Sequence, residues 1–234
     1  MSGLLPANVV DRPTFRDRIE VFRDRAHAGE VLSSMLGSYI NRDTVVLAIP
    51  AGGVPVGAIV AEQLDLLLDV AVVSKVTLPW NTEAGYGAVA FDGTVRLNES
   101  LLPHLGLTER EMQKGIDQTY QKVIRRQKLF RGDRPFPDLS ELTSILIDDG
   151  LASGFTMLVG VEALRKVGAN EITVAVPTGH LQAVQRMAGQ VETVYCANIR
   201  GGLTFAVADA YQRWSDIRED EAVSIYKRSI ARRS

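Results

Sequence analysis

The sequence predicts an α/β fold: a parallel sheet flanked by helices, with a hairpin-and-helix flap inserted over residues 76–135. Three observations predict it. Short aliphatic and β-branched runs alternate with helical stretches, the pattern of strands joined by crossover helices. Those runs are apolar at successive residues rather than at alternate ones, as in strands covered on both faces. The middle of the chain breaks this rhythm with Gly, Pro and turn residues. The 234 residues are 46% hydrophobic and 23% charged, ordinary globular composition for one large domain. That domain is read as 1–234, with the flap and a C-terminal helical extension over 206–234.

The elements follow in order. Residues 1–14 form a polar lead, and a helix is predicted over 15–36. Phe15 and Phe22, and Ile19 and Ala26, stand seven apart and share a face. The repeated FRDR within it carries an Asp between its arginines and reads as a solvated face. Residues 44–50 form a strand ending in Ala51-Gly52-Gly53. A helix over 55–64 and a strand over 67–73 complete a right-handed βαβ unit. In the flap, residues 87–98 read as a hairpin turning at Asp92-Gly93. A charged helix spans 108–129, with Thr108 as N-cap and Glu111 closing a capping box. After the connector RGDRPFPDLSEL come a strand over 144–149, a loop over 150–155 and a helix over 156–167 closed by Gly168. A strand over 171–177, a helix over 181–187, a strand over 191–196 and a helical end over 206–230 finish the chain.

The formal charge is 26 − 28 = −2, which gives no global pull toward nucleic acid or an anionic membrane. No run approaches the ~20 apolar residues of a membrane span. The first residues lack the basic start and apolar run of a signal peptide, so a cytoplasmic protein is expected. Cys196 is the single cysteine, which excludes an internal disulfide and a cysteine zinc cluster, and its apolar strand marks it as a buried hydrophobe. His27, His104 and His180 have no metal-ligand spacing. Trp80 lies in the flap, where it either packs locally or stacks on a base. Tyr211 and Trp214 are placed on one helical face.

The informative segment is ILIDDGLASGFT, residues 145–156. Apolar residues carry the strand into the core, and Asp148 and Asp149 then stand at its carboxyl end, the edge of a parallel sheet where ligands bind. Gly150 and Gly154 permit tight turns. Ser153 and Thr156 supply hydroxyls, and the helix start supplies N–H groups, which together make a phosphate cradle. Two adjacent carboxylates suit a sugar diol. Phosphate site and diol site side by side describe ribose 5-phosphate; the plainer reading is that the two acids only cap the turn.

DDGLASGFT resembles the phosphoribosyl-pyrophosphate signature of the type I phosphoribosyltransferases. RDRAHAGEVLSSM, IPAGGVPVG, SKVTLPWNTEAGYGAV, ITVAVP and FAVADAYQRWSDIREDEAV resemble, in the same order, the motifs of a predicted-phosphoribosyltransferase branch of that family. The resemblance covers most of residues 22–223. It implies a type I phosphoribosyltransferase-like fold. It implies that Asp148 and Asp149 contact the ribose hydroxyls, directly or through water on Mg²⁺. Gly150 would belong to the substrate-binding loop, the backbone of Ala152, Ser153, Gly154, Phe155 and Thr156 with the Ser153 and Thr156 hydroxyls would hold the 5′-phosphate, and Ala51, Gly52 and Gly53 would form the pyrophosphate loop. Lys75, at the end of the second strand, would neutralise pyrophosphate charge.

Two positions depart from the pattern. Ala51 stands where the branch carries Arg, so a bidentate phosphate partner is missing, and Arg96, Arg125 or Arg126 would have to supply it from the flap. Ser153 replaces Thr and keeps the hydroxyl. Ala152 stands where enzymes acting on 6-oxopurines often carry an acid, so the catalytic acid or base is sought in the flap. Glu83 is favoured over Lys75 and His104. The function implied is transfer of a phosphoribosyl group from phosphoribosyl pyrophosphate to a nitrogen acceptor such as a nucleobase, releasing pyrophosphate. Mg²⁺ would be the cofactor and a homodimer the assembly, with no nucleic-acid or membrane partner. Two alternatives are a non-catalytic regulatory protein binding phosphoribosyl pyrophosphate or a nucleotide, and a hydrolase with Asp148 as nucleophile.

Overall fold

A computed structural model describes residues 5–232, apart from the side chains of 82–84. Nine strands and six helices run in the order β1 (Val9–Asp11), α1 (Arg25–Met35), β2 (Thr44–Ala48), α2 (Gly53–Leu64), β3 (Leu67–Val70), β4 (Val73–Leu78), β5 (Asn81–Ala90), β6 (Val95–Leu97), α3 (Glu109–Arg131), β7 (Thr143–Ile147), α4 (Phe155–Lys166), β8 (Glu171–His180), α5 (Leu181–Ala188), β9 (Thr193–Arg200) and α6 (Glu219–Ala231) among the described residues. Six strands form one sheet in the order β1-β9-β8-β7-β2-β3, and every pairing in it is parallel. The expected α/β fold with helices on both faces is therefore observed.

Strand alternation explains the double cover. In β2, Val46 and Ala48 join the core formed with α1 and α2, while Val45 and Leu47 join the core formed with α4 and α5. In β7, Ile145 and Ile147 face the first core and Leu146 the second. Each strand is thus apolar throughout because each of its faces meets a helical layer.

Four readings of the elements need correction. The lead holds β1, whose Val9 registers with Val194 of β9. Residues 15–24 are not the start of a long helix. Asp24 adopts an extended backbone and its side chain accepts a hydrogen bond from the His27 amide at 3.0 Å, so α1 begins at Arg25. The apolar run over 67–73 belongs to two strands: β3 ends at Val70, and β4 leaves for a second, antiparallel sheet ordered β4-β5-β6. Residues 206–218 are not continuous helix: only a short 3₁₀ turn spans Val207–Ala210, and α6 starts at Glu219.

The region read as a flap is well anchored. Val76, Tyr86, Ala88 and Val89 are buried, and α3 packs along β4 and β5. The hairpin turns where expected, with Gly93 at φ +88° and the Thr94 amide donating to Asp92. No helix among the described residues is long and apolar enough to cross a membrane.

Candidate active site

The apolar side chains of β7 stop at Ile147, and the next two residues are the acids. Asp148 and Asp149 sit at the carboxyl edge of the sheet, half-buried. The chain then forms a single bridge to β8. The Leu151 amide donates to the Thr178 carbonyl, and the His180 amide donates to the Leu151 carbonyl, both at 2.9 Å. Ala152 and Ser153 are exposed beyond that bridge. Gly154 takes the left-handed backbone (φ +73°) that a side chain would strain, and it starts α4 with no side-chain cap. The first N–H groups of α4 therefore lack the internal partner that later turns enjoy.

Lys75 converges on the same place. It is exposed on β4, opposite Ala88, and not at the end of the second parallel strand as the sequence suggested. A cavity of about 190 Å³ is lined by Lys75, Asp148, Asp149, Gly150, Phe155 and Thr156, with Val207 on the far wall. A Cβ on Gly150 would lie 2.4 Å from Val207, so only glycine lets the loop pass beneath that side chain.

The loop after β2 meets the acid pair from the other side. Gly52 occupies the N-cap position of α2, again without a side-chain cap, and a Cβ there would lie 2.1 Å from Asp149 Oδ2. A Cβ on Gly53 would lie 2.6 Å from the Ile147 carbonyl. The Pro50–Ala51 peptide is cis. Ala51 itself is half-buried.

The arginines proposed to replace the one absent at Ala51 are engaged elsewhere. Arg96 pairs with Glu162, and Arg125 and Arg126 both pair with Glu219. The arginine that does reach the site is Arg25. Its Nε stands 2.8 Å from Asp149 Oδ2, and its side chain is only 9% exposed. The reading of the FRDR stretch as a solvated face is therefore wrong for Arg25. The motif that could have revealed it is Asp24 as a helix cap, which places the next residue at the inner start of α1. Tyr211 is a second site residue that the sequence did not reveal: its hydroxyl donates to the Asp149 carbonyl at 2.6 Å. Tyr211 and Trp214 lie on no common helix, yet their rings pack 5.0 Å apart.

The electrostatics divide the two acids. Burial and the neighbouring Asp149 charge push the Asp148 carboxyl well above the usual carboxylate range. Burial also raises Asp149, but the Arg25 guanidinium opposes that rise. In the coupled pair, Asp148 is the member that holds a proton more readily. Burial keeps Tyr211 protonated and hence a donor.

Of the acid and base candidates, His104 is exposed on a 3₁₀ turn at Leu102–His104. Glu83 falls in β5, and its side chain lies outside the described residues. Trp80 is 63% exposed at the β4–β5 turn. Cys196 is buried in β9, as expected.

The family model "Phosphoribosyl transferase domain" matches residues 25–198. Two Mycobacterium tuberculosis proteins, from strains CDC 1551 / Oshkosh and H37Rv, bear the name "Putative phosphoribosyl transferase". Each is 33% identical over 211 residues, 90% of this chain and 47% of its own length, so the chain spans about half the length of these curated relatives. The solved structure of TT1426 from Thermus thermophilus is 29% identical, with a TM-score of 0.70, over 88% of this chain and 97% of that one.

Proposed function

The chain belongs to the phosphoribosyl transferase domain family, and on that premise we propose that it binds phosphoribosyl pyrophosphate and transfers the phosphoribosyl group to a nitrogen acceptor. One observation carries the reading. Two carboxylates at the sheet edge, an exposed small-residue loop and the uncapped start of α4 share a cavity with a lysine. Asp148 and Asp149 accept from the ribose hydroxyls. Ser153, Thr156 and the first amides of α4 hold the 5′-phosphate. Lys75 and the Ala51–Gly52–Gly53 loop face the leaving pyrophosphate, and the ammonium offsets its charge as the bond to the ribose breaks. The antiparallel sheet borders the reacting centre through Lys75 of β4.

Mg²⁺ suits this donor set. Among the described residues no third His, Cys, Asp or Glu joins the acid pair, and Mg²⁺ binds through one or two carboxylates while keeping water and substrate phosphates. Asp148 and Asp149 would hold it through water, and it would neutralise charge on the pyrophosphate oxygens. The acceptor is a small molecule with a nucleophilic nitrogen, for which a nucleobase is the working choice. Ala152 offers no acid, so the proton on the acceptor is handled by another group, Glu83 being the first to test.

A second reading is a regulatory protein that binds phosphoribosyl pyrophosphate without turnover. The pairing of Arg96, Arg125 and Arg126 with glutamates, together with Ala51, favours it, because none of these three arginines is then turned to the leaving group. The test is calorimetric titration with phosphoribosyl pyrophosphate and Mg²⁺, followed by a pyrophosphate-release assay across a panel of bases. Binding with release is expected. Binding without release from any base selects the regulatory reading, and absence of binding overturns both.

A further inference from the structure

We propose that Arg25, Tyr211 and Trp214 form a clamp, built from the two ends of the chain, that fixes Asp149 for its ligand; they are positioning residues, not catalytic ones. The inference deepens the reading above, since it takes Asp149 as a ribose contact.

The clamp holds Asp149 at both ends. At the side chain, Arg25 Nε donates to Oδ2 at 2.8 Å, and Gly52 leaves the space into which that oxygen fits. At the backbone, the Tyr211 hydroxyl donates to the Asp149 carbonyl at 2.6 Å. The Arg25 guanidinium is itself held on two further sides: Nη1 donates to the Ser215 carbonyl at 2.8 Å, and the central carbon lies over the Trp214 ring, 3.8 Å from its centroid. A guanidinium stacked on an indole and hydrogen-bonded at its edge has little freedom to rotate. The ion pair engages Oδ2 of the carboxylate.

The two chain segments that carry these residues are zipped together. The Glu20 amide donates to the Asp209 carbonyl at 2.7 Å, Phe22 to Ala210 at 2.9 Å, Gln212 to Phe22 at 2.8 Å and Arg213 to Arg23 at 3.0 Å. Phe22 and Tyr211 pack with ring centroids 5.5 Å apart. Asp24 caps α1 and pairs with Arg213. This zipper explains why neither segment is helical: each uses its backbone on the other.

A stability role does not account for the arrangement. Burying an ion pair commonly gains little over apolar residues of the same volume, so its presence here asks for another reason. Groups that orient a ligand-binding side chain from behind provide one. The clamp touches Asp149 and not the loop over 152–156, so it is expected to govern ribose binding and to leave the phosphate cradle alone.

The test compares Arg25→Met, Arg25→Lys and Trp214→Leu with the unaltered chain. Affinity for phosphoribosyl pyrophosphate with Mg²⁺ and for inorganic phosphate is measured by calorimetry, and the Arg25→Met variant is crystallised. The clamp predicts at least tenfold weaker phosphoribosyl-pyrophosphate binding in Arg25→Met, unchanged phosphate binding, and partial recovery in Arg25→Lys, which keeps the charge but not the fork. It also predicts that the Asp149 carboxylate leaves Gly52 in the crystal. An equal fall for both ligands, or an unmoved Asp149, overturns the clamp. If the unaltered chain fails to bind phosphoribosyl pyrophosphate, the functional reading falls while the position of Asp149 still decides the clamp. Should Arg25→Met not fold, Trp214→Leu decides, since it keeps the ion pair and removes only the stacking face. A threefold or greater loss at an unchanged melting temperature supports the clamp, and no loss overturns it.

Discussion

Helices α3 and α4 begin in opposite ways. At α3 the Thr108 hydroxyl accepts from the Glu111 amide, and the Glu111 carboxylate accepts from the Thr108 amide at 2.9 Å, a complete capping box. At α4 the chain enters through Gly154 with no side-chain cap, directly after the acid pair. The first helix satisfies its own amides. At the second, the Ser153 hydroxyl meets the Phe155 amide at a long 3.3 Å and no capping box closes the start. Helix α2 also starts without a side-chain cap, at Gly52 and against Asp149, but its Gly53 and Val54 amides donate to the Ile49 and Ala51 carbonyls at 3.0 and 3.2 Å. The comparison separates a helix start closed by its own side chains from one that, on the proposed function, receives the 5′-phosphate.

The change with the largest expected effect is Asp149→Asn. It strands the Arg25 guanidinium beside a neutral amide in a pair whose side chains are 9% and 15% exposed. Removing one partner of a buried pair costs about 3–5 kcal/mol. Thermal unfolding is expected to show that loss, and calorimetry to show no phosphoribosyl-pyrophosphate binding. A variant as stable as the unaltered chain would mean that Arg25 does not depend on Asp149.

Asp148→Asn sharpens the contrast, since it leaves the Arg25 pair intact. Losing a hydrogen bond to a charged group is worth about 1.5–3 kcal/mol, or roughly tenfold to hundredfold in affinity. Stability moves the other way with pH. The folded Asp148 carboxyl is raised, so its favourable contribution is present below the unfolded value of about 3.9 and is lost as pH rises through the folded value. The variant lacks this loss. Its melting temperature relative to the unaltered chain is expected to climb from about pH 4 upward and then level off. A flat difference would show that neither burial nor the Asp149 charge raises the Asp148 carboxyl.

How much of this was legible follows from how far apart the interacting groups lie. The acid pair, its glycines and the following helix occupy one stretch, so local pattern reveals them. The capping box of α3 lies within a single turn and was equally visible. Arg25 lies 124 positions from Asp149, and the Asp24 cap before it marks where α1 starts but not the distant partner. Phe15 and Phe22 do keep helical spacing. However, Ile19 between them is 63% exposed, and Phe22 is buried against Tyr211 rather than along a helix. Residues 206–218 favour helix by composition, yet their pairing with residues 20–23 overrides it. β1 is three residues long, too short for any periodicity. Lys75 lies off the parallel sheet because one apolar run over 67–73 serves two sheets. Ala71 and Val72, both fully buried, carry the chain between them.

Gly52→Ala tests whether α2 belongs with α4. Its φ of −62° suits any residue, so the effect is steric alone. The new methyl group overlaps Asp149 Oδ2, and overpacking of this kind costs about 1–3 kcal/mol. Asp149 must turn away, so affinity for phosphoribosyl pyrophosphate is expected to fall about tenfold or more, at tenfold per roughly 1.4 kcal/mol. Unchanged binding by calorimetry would detach the 51–53 loop from the site.

The smallest expected effects come from the two helix starts themselves, and their directions cross. Thr108→Ala removes a cap and costs about 0.5–2 kcal/mol of stability, a shift of roughly 2–4 °C per kcal/mol for a chain of this size. It leaves ligand affinity where it was, because the cap is exposed and lies outside the cavity. Ser153→Ala removes a hydroxyl that accepts from the Phe155 amide at a long 3.3 Å on an exposed loop. Surface changes of that kind stay within about 0.5 kcal/mol in stability. If Ser153 instead serves a phosphate, its loss is expected to weaken ligand binding by the net value of one hydrogen bond, about 0.5–1.5 kcal/mol, or roughly twofold to tenfold. Each variant thus changes the quantity that the other leaves alone. Were Ser153→Ala to lower the melting temperature as Thr108→Ala does, with no change in affinity, the start of α4 would be one more structural cap. The distinction between the two helices would then rest on the acid pair alone.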